Sequence, residues 1–125
     1  MAARTLSLSV PYPPSANRYW RHRATGGHLV TYIAKEALEY RNEVRAAVLA
    51  TPIAAAFEGH LTVIYDCYSP YPNKGDLGNA EKVLSDALTK AGVWGDDSQL
   101  WEIHLRRHYE RGRVGVDVTV MEVPR

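Results

Sequence analysis

The sequence predicts an α+β fold, a single two-layer domain in which a four-strand mixed sheet carries two helices mainly on one face. Three observations predict it. Four segments alternate apolar and polar residues with a period of two, two segments repeat apolar residues every three or four positions, and the six follow one another as β-α-β-α-β-β. The chain, 1–125, has the length of one domain and shows no internal repeat or low-complexity tract. Two helices cover only one face of such a sheet, so the other face or an edge is left to pair with a second copy.

The elements follow in order. Leu6, Leu8 and Val10 alternate with Thr5, Ser7 and Ser9 in a first strand that ends at Pro11-Tyr12-Pro13-Pro14. A loop is expected from there to about Val30. From Tyr32 the spacing of Ile33, Ala37, Tyr40, Val44 and Val48 is helical, with Thr31 as N-cap and Pro52 just past the end. Leu61, Val63, Tyr65 and Cys67 alternate with Thr62, Ile64 and Asp66 in a second strand, which runs into the turn Ser69-Pro70-Tyr71-Pro72-Asn73. Ala80, Leu84, Ala87, Leu88 and Ala91 line one face of a second helix, closed by Gly92, and Asn79, Lys82 and Asp86 line the other. Trp101, Ile103 and Leu105 alternate with Glu102, His104 and Arg106, and Val114, Val116, Val118 and Val120 repeat the pattern after Gly112, which reads as a hairpin.

Composition excludes several classes. Hydrophobic residues at 46% and charged residues at 23% describe a chain that packs a core, not a disordered or fibrous one. No apolar run has the ~18 residues of a membrane span, and the first residues lack the apolar centre of a signal peptide. One cysteine, Cys67, makes no internal disulfide and reads as a small core residue, so a cytoplasmic protein without a membrane partner is expected. The net charge of +1 gives no global electrostatic case for nucleic-acid binding; any such case is local.

The residues suited to chemistry surround the second helix. Asp76 stands at its entrance, Lys82 nearly two turns along it, and Asp96-Asp97 follow the turn Gly92-Val93-Trp94-Gly95. If the chain reverses there, Asp97 returns to the same sheet edge and two acids converge with an amine. Hard divalent cations take carboxylate oxygens and keep waters, which suits phosphodiester hydrolysis, and a lysine stabilises charge on a pentacoordinate phosphate. Each acid also has an ordinary structural reading, Asp76 as a helix cap and Asp96-Asp97 as a turn pair.

Pro13-Pro14-Ser15-Ala16-Asn17-Arg18-Tyr19, Asp76-Leu77-Gly78-Asn79, Lys82, Asp86-Ala87-Leu88, Gly92 and Asp96-Asp97-Ser98-Gln99 together resemble the RusA family of Holliday-junction resolvases, crossover junction endodeoxyribonucleases. The resemblance spans nearly the whole chain, with the pieces in family order. It implies a homodimeric Mg²⁺-dependent nuclease, with Mn²⁺ as an alternative ion, that nicks two opposed strands of a four-way DNA junction in recombination and repair. It implies metal-binding roles for Asp76 and Asp97 and a catalytic role for Lys82. Members of that family often come from phages and prophages.

One position departs. The family pattern Asp-Leu-Asp-Asn has its second, essential aspartate where this chain has Gly78, and Lys74 replaces a usual arginine, keeping charge but losing the bidentate fork. Three accounts of Gly78 stand: an inactive site on a junction-binding protein, a weak site, or a substitute ligand. Glu81, three residues on and on the same face, is the candidate substitute; its structural alternative is a capping-box glutamate with Gly78 as N-cap.

DNA contact is expected from the loop that interleaves Asn17, Arg18, Tyr19, Arg21 and Arg23 with Trp20, since arginines neutralise phosphates and rings stack on unpaired bases. Lys74 would sit beside the scissile phosphate. Two rivals remain at this level: a catalytically silent four-way-junction binder, and a small α+β protein-interaction module favoured by the near-zero net charge.

Overall fold

The computed structural model describes residues 4–15, 20–25, 28–33, 35–53, 55–72 and 76–123, with the backbone alone for 20–25 and 28–33. The chain runs β1 (Thr5–Val10), β2 (Trp20–Thr25), β3 (His28–Ile33), α1 (Lys35–Ala50), β4 (Leu61–Tyr68), α2 (Leu77–Lys90), a 3-10 turn (Asp97–Gln99), β5 (Leu100–His108) and β6 (Gly115–Glu122). Four strands form one mixed sheet in the order β1-β6-β4-β5, and β2 pairs with β3 in a separate two-stranded sheet.

The expected two-layer α+β architecture with two helices is present, with three corrections. The segment expected as a loop up to Val30 contains the β2–β3 hairpin, in which Arg21 pairs with Tyr32 and Arg23 with Val30. The first helix begins at Lys35, so Thr31, Tyr32 and Ile33 belong to β3 and Thr31 is no N-cap. Third, β5 and β6 do not form a hairpin. β6 inserts between β1 and β4, antiparallel to both, while β5 pairs with β4 in parallel. A β4–α2–β5 crossover therefore replaces the simple reversal: a parallel pair cannot close through a tight turn, and α2 is the connecting helix.

The period of two in β4 decides which face is covered. Leu61, Val63, Tyr65 and Cys67 are fully buried, and the residues between them are half-buried. Onto that face pack Ala37, Tyr40, Val44 and Val48 of α1 and Val83, Leu84, Ala87 and Leu88 of α2. Gly92 ends α2 as expected. At φ 83° it takes a left-handed turn that lets its own N–H reach Thr89 O (3.0 Å) and the N–H of Val93 reach Leu88 O (3.2 Å). Cys67 is in the core, as its pattern predicts.

The outer strand β5 departs from the expected alternation. Trp101 is 63% exposed and Ile103 38%, because β5 lies at the sheet edge beyond the reach of the helices. Asp86, expected on the outer face of its helix, ties the two helices together: Arg41 donates to its Oδ2 from Nε (3.1 Å) and Nη2 (2.7 Å). Among the described residues no helix is long and apolar enough to cross a membrane.

Two outcomes follow. Both Arg41 and Asp86 are largely buried, so Arg41→Ala is predicted to cost about 1–3 kcal/mol in urea unfolding, and the Arg41→Ala/Asp86→Ala double variant to cost less than the two single losses together. Burial, reinforced by Asp66, pushes the Cys67 thiol up to about 11. An unfolded thiol ionises near pH ~8.5, so the stability this shift contributes is whole below that pH and is lost as pH rises towards the folded value. Urea unfolding from pH 8 to 10.5 should show a steeper fall for the wild type than for Cys67→Ala.

Candidate active site

Asp76 is the N-cap of α2. Its backbone is extended, and its Oδ1 accepts from the N–H of Gly78 (2.8 Å) and of Asn79 (3.4 Å). The structural reading of Asp76 therefore holds, and Gly78 sits inside the first turn instead of capping it. Glu81 is no capping-box partner; its Oε1 accepts from Ser85 Oγ at 2.8 Å. Beside Asp76 lies a cleft of about 380 Å³ lined by Tyr12, by Pro13, Pro14 and Ser15 of the first motif and by Asp76 and Asn79 of the second. Two motifs some sixty residues apart thus meet at one end of α2.

Asp97 lies at the other end. Its Oδ1 is 2.5 Å from the hydroxyl of Thr89, in the last turn of α2. The turn that carries it is fixed by Gln99, whose Oε1 accepts from the N–H groups of Gly95 (2.8 Å) and Asp96 (3.0 Å) while Nε2 donates to Phe57 O (3.0 Å) and Gly59 O (2.9 Å). All the hydrogen-bonding groups of that amide are used, so the aspartate pair is clamped to the segment before β4. Asp96 closes the box by accepting from Ser98, whose hydroxyl and N–H hold its carboxyl below the usual carboxylate range. Asp96 is thereby a structural cap, which leaves Asp97 as the chemically available member of the pair.

Between the two ends runs a polar row that sequence reasoning did not single out. Ser85 gives its hydroxyl hydrogen to Glu81, so the Tyr65 hydroxyl, 2.9 Å away, is the donor to Ser85 Oγ. Thr89 Oγ1 also lies 2.7 Å from the carbonyl oxygen of Ser85 and accepts from Nε1 of the buried Trp94 at 2.7 Å. Burial pushes the Tyr65 hydroxyl far above its ordinary range, the Ser85 bond opposes this, and the charges of Glu81 and Asp97 add to it. The signal for this row was the spacing of Glu81, Ser85 and Thr89, four apart along one side of the helix. Gly78 and the exposed Lys82 belong to the same side.

The expected convergence of Asp76 with Asp97 does not occur within one chain. Gly78, bonded to the first carboxylate, and Thr89, bonded to the second, are separated along α2 by about 16 Å at the helical rise of ~1.5 Å per residue. Divalent-cation ligands lie within about 2.0–2.6 Å of the ion, so one ion cannot be held by both. Among the described residues no group of three or more His, Cys, Asp or Glu side chains is placed to hold a metal. The reason is topological: the expected reversal after Gly95 is a parallel return, which leaves Asp97 at the C-terminal end of α2. Asn17, Arg18, Tyr19 and Lys74 lie outside the described residues, and Arg21 and Arg23 occupy alternate positions of β2.

The fold is α+β, with a crossover helix that has Asp76 at its start, Asp97 against its last turn and an exposed Lys82 between them. The family model described as "Endodeoxyribonuclease RusA" matches residues 11–121. A Shigella sonnei protein named crossover junction endodeoxyribonuclease RusA is 32% identical over 119 residues, 94% of this chain and 96% of its own. Proteins of the same name in Escherichia coli K12 and in Enterobacteria phage 82 are each 31% identical over 119 residues, with the same coverage. The chain belongs to the RusA endodeoxyribonuclease family.

Replacing the Thr89 hydroxyl tests the clamp. Thr89→Val leaves the N–H of Trp94, a side chain only 1% exposed, without its acceptor, for an expected loss of about 1–3 kcal/mol in urea unfolding, whereas Thr89→Ser keeps the bond and most of the stability.

Proposed function

We propose that this protein is a Holliday-junction resolvase, an endonuclease that introduces paired nicks in four-way DNA. Membership of the RusA family and the names of its relatives support the activity class. The structural observation that carries the reading is the cleft at the start of α2, where Pro13, Pro14 and Ser15 of one family motif line the same wall as Asp76 and Asn79 of another.

The roles follow from chemistry. Hydrolysis forms a bond from water oxygen to phosphorus, breaks the P–O3′ or P–O5′ bond as a proton passes from the water to the departing sugar oxygen, and builds negative charge on the phosphate oxygens. Lys82, exposed on the side of α2 that also carries Gly78 and Thr89, is the cation that offsets that charge. Asp76 and Asp97 are the metal ligands, for Mg²⁺ with Mn²⁺ as substitute. Since one chain cannot bring both to one ion, no metal-borne step is assigned within it. Arg18, Arg21, Arg23 and Lys74 neutralise DNA phosphates, and Asn17 and Tyr19 contact the strand beside them. The protein acts as a homodimer, two equal sites addressing two equivalent strands, in the cytoplasm.

Gly78 favours a second reading, a junction binder with no cleavage. Its backbone is ordinary helix and a Cβ placed there would stand 3.2 Å from Asp76 Oδ1, so this position abuts the Asp76 carboxylate while offering no side-chain ligand of its own. Glu81 as a substitute ligand belongs to the first reading, since its carboxylate lies on the α2 face shared with Gly78.

A synthetic four-way junction separates the readings. Wild type is expected to nick opposed strands with Mg²⁺ and not with chelator, Lys82→Ala to slow cleavage about 100-fold while binding persists, and Glu81→Ala to lower it further than Glu81→Gln. Cleavage by Gly78→Asp alone supports the silent binder, and equal affinity for junction and linear duplex contradicts both.

A further inference from the structure

The sequence crowds arginines around the connection between β5 and β6. Residues 104–116 hold Arg106, Arg107, Arg111 and Arg113 against one acid, Glu110, a net +3 in a chain whose whole charge is +1. Attraction for a polyanion is local in such a chain, and this segment is one of the places that supply it.

Part of that charge is bound in the sheet. Arg106 lies 3.8 Å from Asp66, and Arg113 holds Asp117 (2.6 Å) and Glu110 (3.5 Å) with its guanidinium 3.5 Å over the Tyr68 ring. Arg111 differs. It stands at the corner of a turn closed by the N–H of Arg113 on Glu110 O (3.0 Å), where Gly112 at φ 84° follows a residue of negative φ, the type II pattern. Among the described residues Arg111 is exposed without an ion pair, and Tyr109, 49% exposed, is without a hydrogen bond.

Both feet of this turn are joined to the walls of the Asp76 cleft. At one foot the N–H of Ser69 donates to His108 O at 3.0 Å, and Ser69, Pro70 and Tyr71 line the cleft. At the other, Gly115 comes so near β1 that a Cβ would stand 3.2 Å from Val10 O, and β1 leads directly to the wall made by Tyr12, Pro13, Pro14 and Ser15. The turn is therefore a braced rim of the cleft. Tyr71, on the Ser69 wall, is 57% exposed, so two exposed rings and the Arg111 guanidinium share one end of the sheet.

Resting on the resolvase reading, we propose that this rim holds a second arm of branched DNA: Arg111 neutralises a backbone phosphate and Tyr109 packs on the sugar or base beside it, next to the strand that occupies the cleft. A cation beside a ring suits that partner, since phosphate and nucleobase alternate along it. A linear duplex that enters the cleft continues along one line, whereas a four-way junction sends another duplex off at an angle from the same point. The rim is then a surface that the branched substrate covers and the linear one leaves open. It adds to the preference for junctions without touching the reacting phosphate.

Binding of a synthetic four-way junction and of a linear duplex by the full chain, read by fluorescence anisotropy in chelator at several salt concentrations, tests this. Arg111→Ala is expected to weaken junction binding about 5-fold and lower its salt slope by about one, and Arg111→Glu to weaken it about 20-fold, with linear binding changed less than about 2-fold in either. Tyr109→Ala is expected to cost about 5-fold on the junction, and Tyr109→Phe, which keeps the ring, to restore it. Arg45→Glu makes the same charge change as Arg111→Glu at an exposed position of α1 and should leave the ratio of the two affinities as in wild type. Circular dichroism checks the folding of each variant. Equal losses on both DNAs, a loss that Arg45→Glu reproduces, or junction binding unmoved by Arg111→Glu while wild type prefers the junction overturns the second-arm contact alone. A wild type that binds both DNAs alike overturns the resolvase reading and the rim with it.

Discussion

The parallel pairing of β4 with β5 is the constraint on which the rest depends. Two parallel neighbours require a crossover, the crossover here is α2, and a helix of 14 residues is a rigid spacer of about 20 Å. Whatever caps its start and whatever follows its end are therefore held apart. Asp76 does the first by closing the initial turn with its side chain, and Asp97 the second by leaning on Thr89. Asp76 is thus placed by the hydrogen bonds that begin the helix, and Asp97 by a side-chain bond to its last turn, so the position of each acid is tied to the fold.

The C-terminal acid is held far more tightly than the N-terminal one. Gln99 spends every donor and acceptor of its amide on the turn and on the carbonyls of Phe57 and Gly59. Phe57, in turn, donates its N–H to Val93 O at 2.8 Å, beside the buried Trp94 that binds Thr89. Asp97 is thus fixed by a closed circuit running from the segment before β4 through the aspartate turn and back to the helix. Among the described residues, Asp76 is held through its cap bonds to Gly78 and Asn79 and borders an open cleft.

Much of this was legible in the sequence, and the failures share one origin. β1, β4 and α2 declare themselves because each buries a single face against the core, so their apolar spacing is undiluted; Gly92 marks the end of α2 because a left-handed turn there excludes most side chains. β2 was hidden, since Trp-Arg-His-Arg-Ala-Thr carries no alternation against a core. The pairing of β5 and β6 was misread because two alternating segments adjacent in sequence suggest a hairpin, and nothing local reports that β6 fits better between β1 and β4. That topological inversion is also what moved Asp97 to the far end of α2. The candidate residues could be named from the sequence; which of them meet within one chain was set by strand order, a non-local property. Ser85 and Thr89 escaped, and Gln99 was read only as part of a motif, because their role is to hold others.

The account joins a family of junction endonucleases to a fold in which one crossover helix separates the two candidate acids. The most direct measurement is nicking of a synthetic four-way junction by wild type beside Asp76→Asn and Asp97→Asn. The account predicts paired nicks by wild type with Mg²⁺, and loss of nicking with junction binding kept in either variant. Cleavage that neither substitution changes would contradict it.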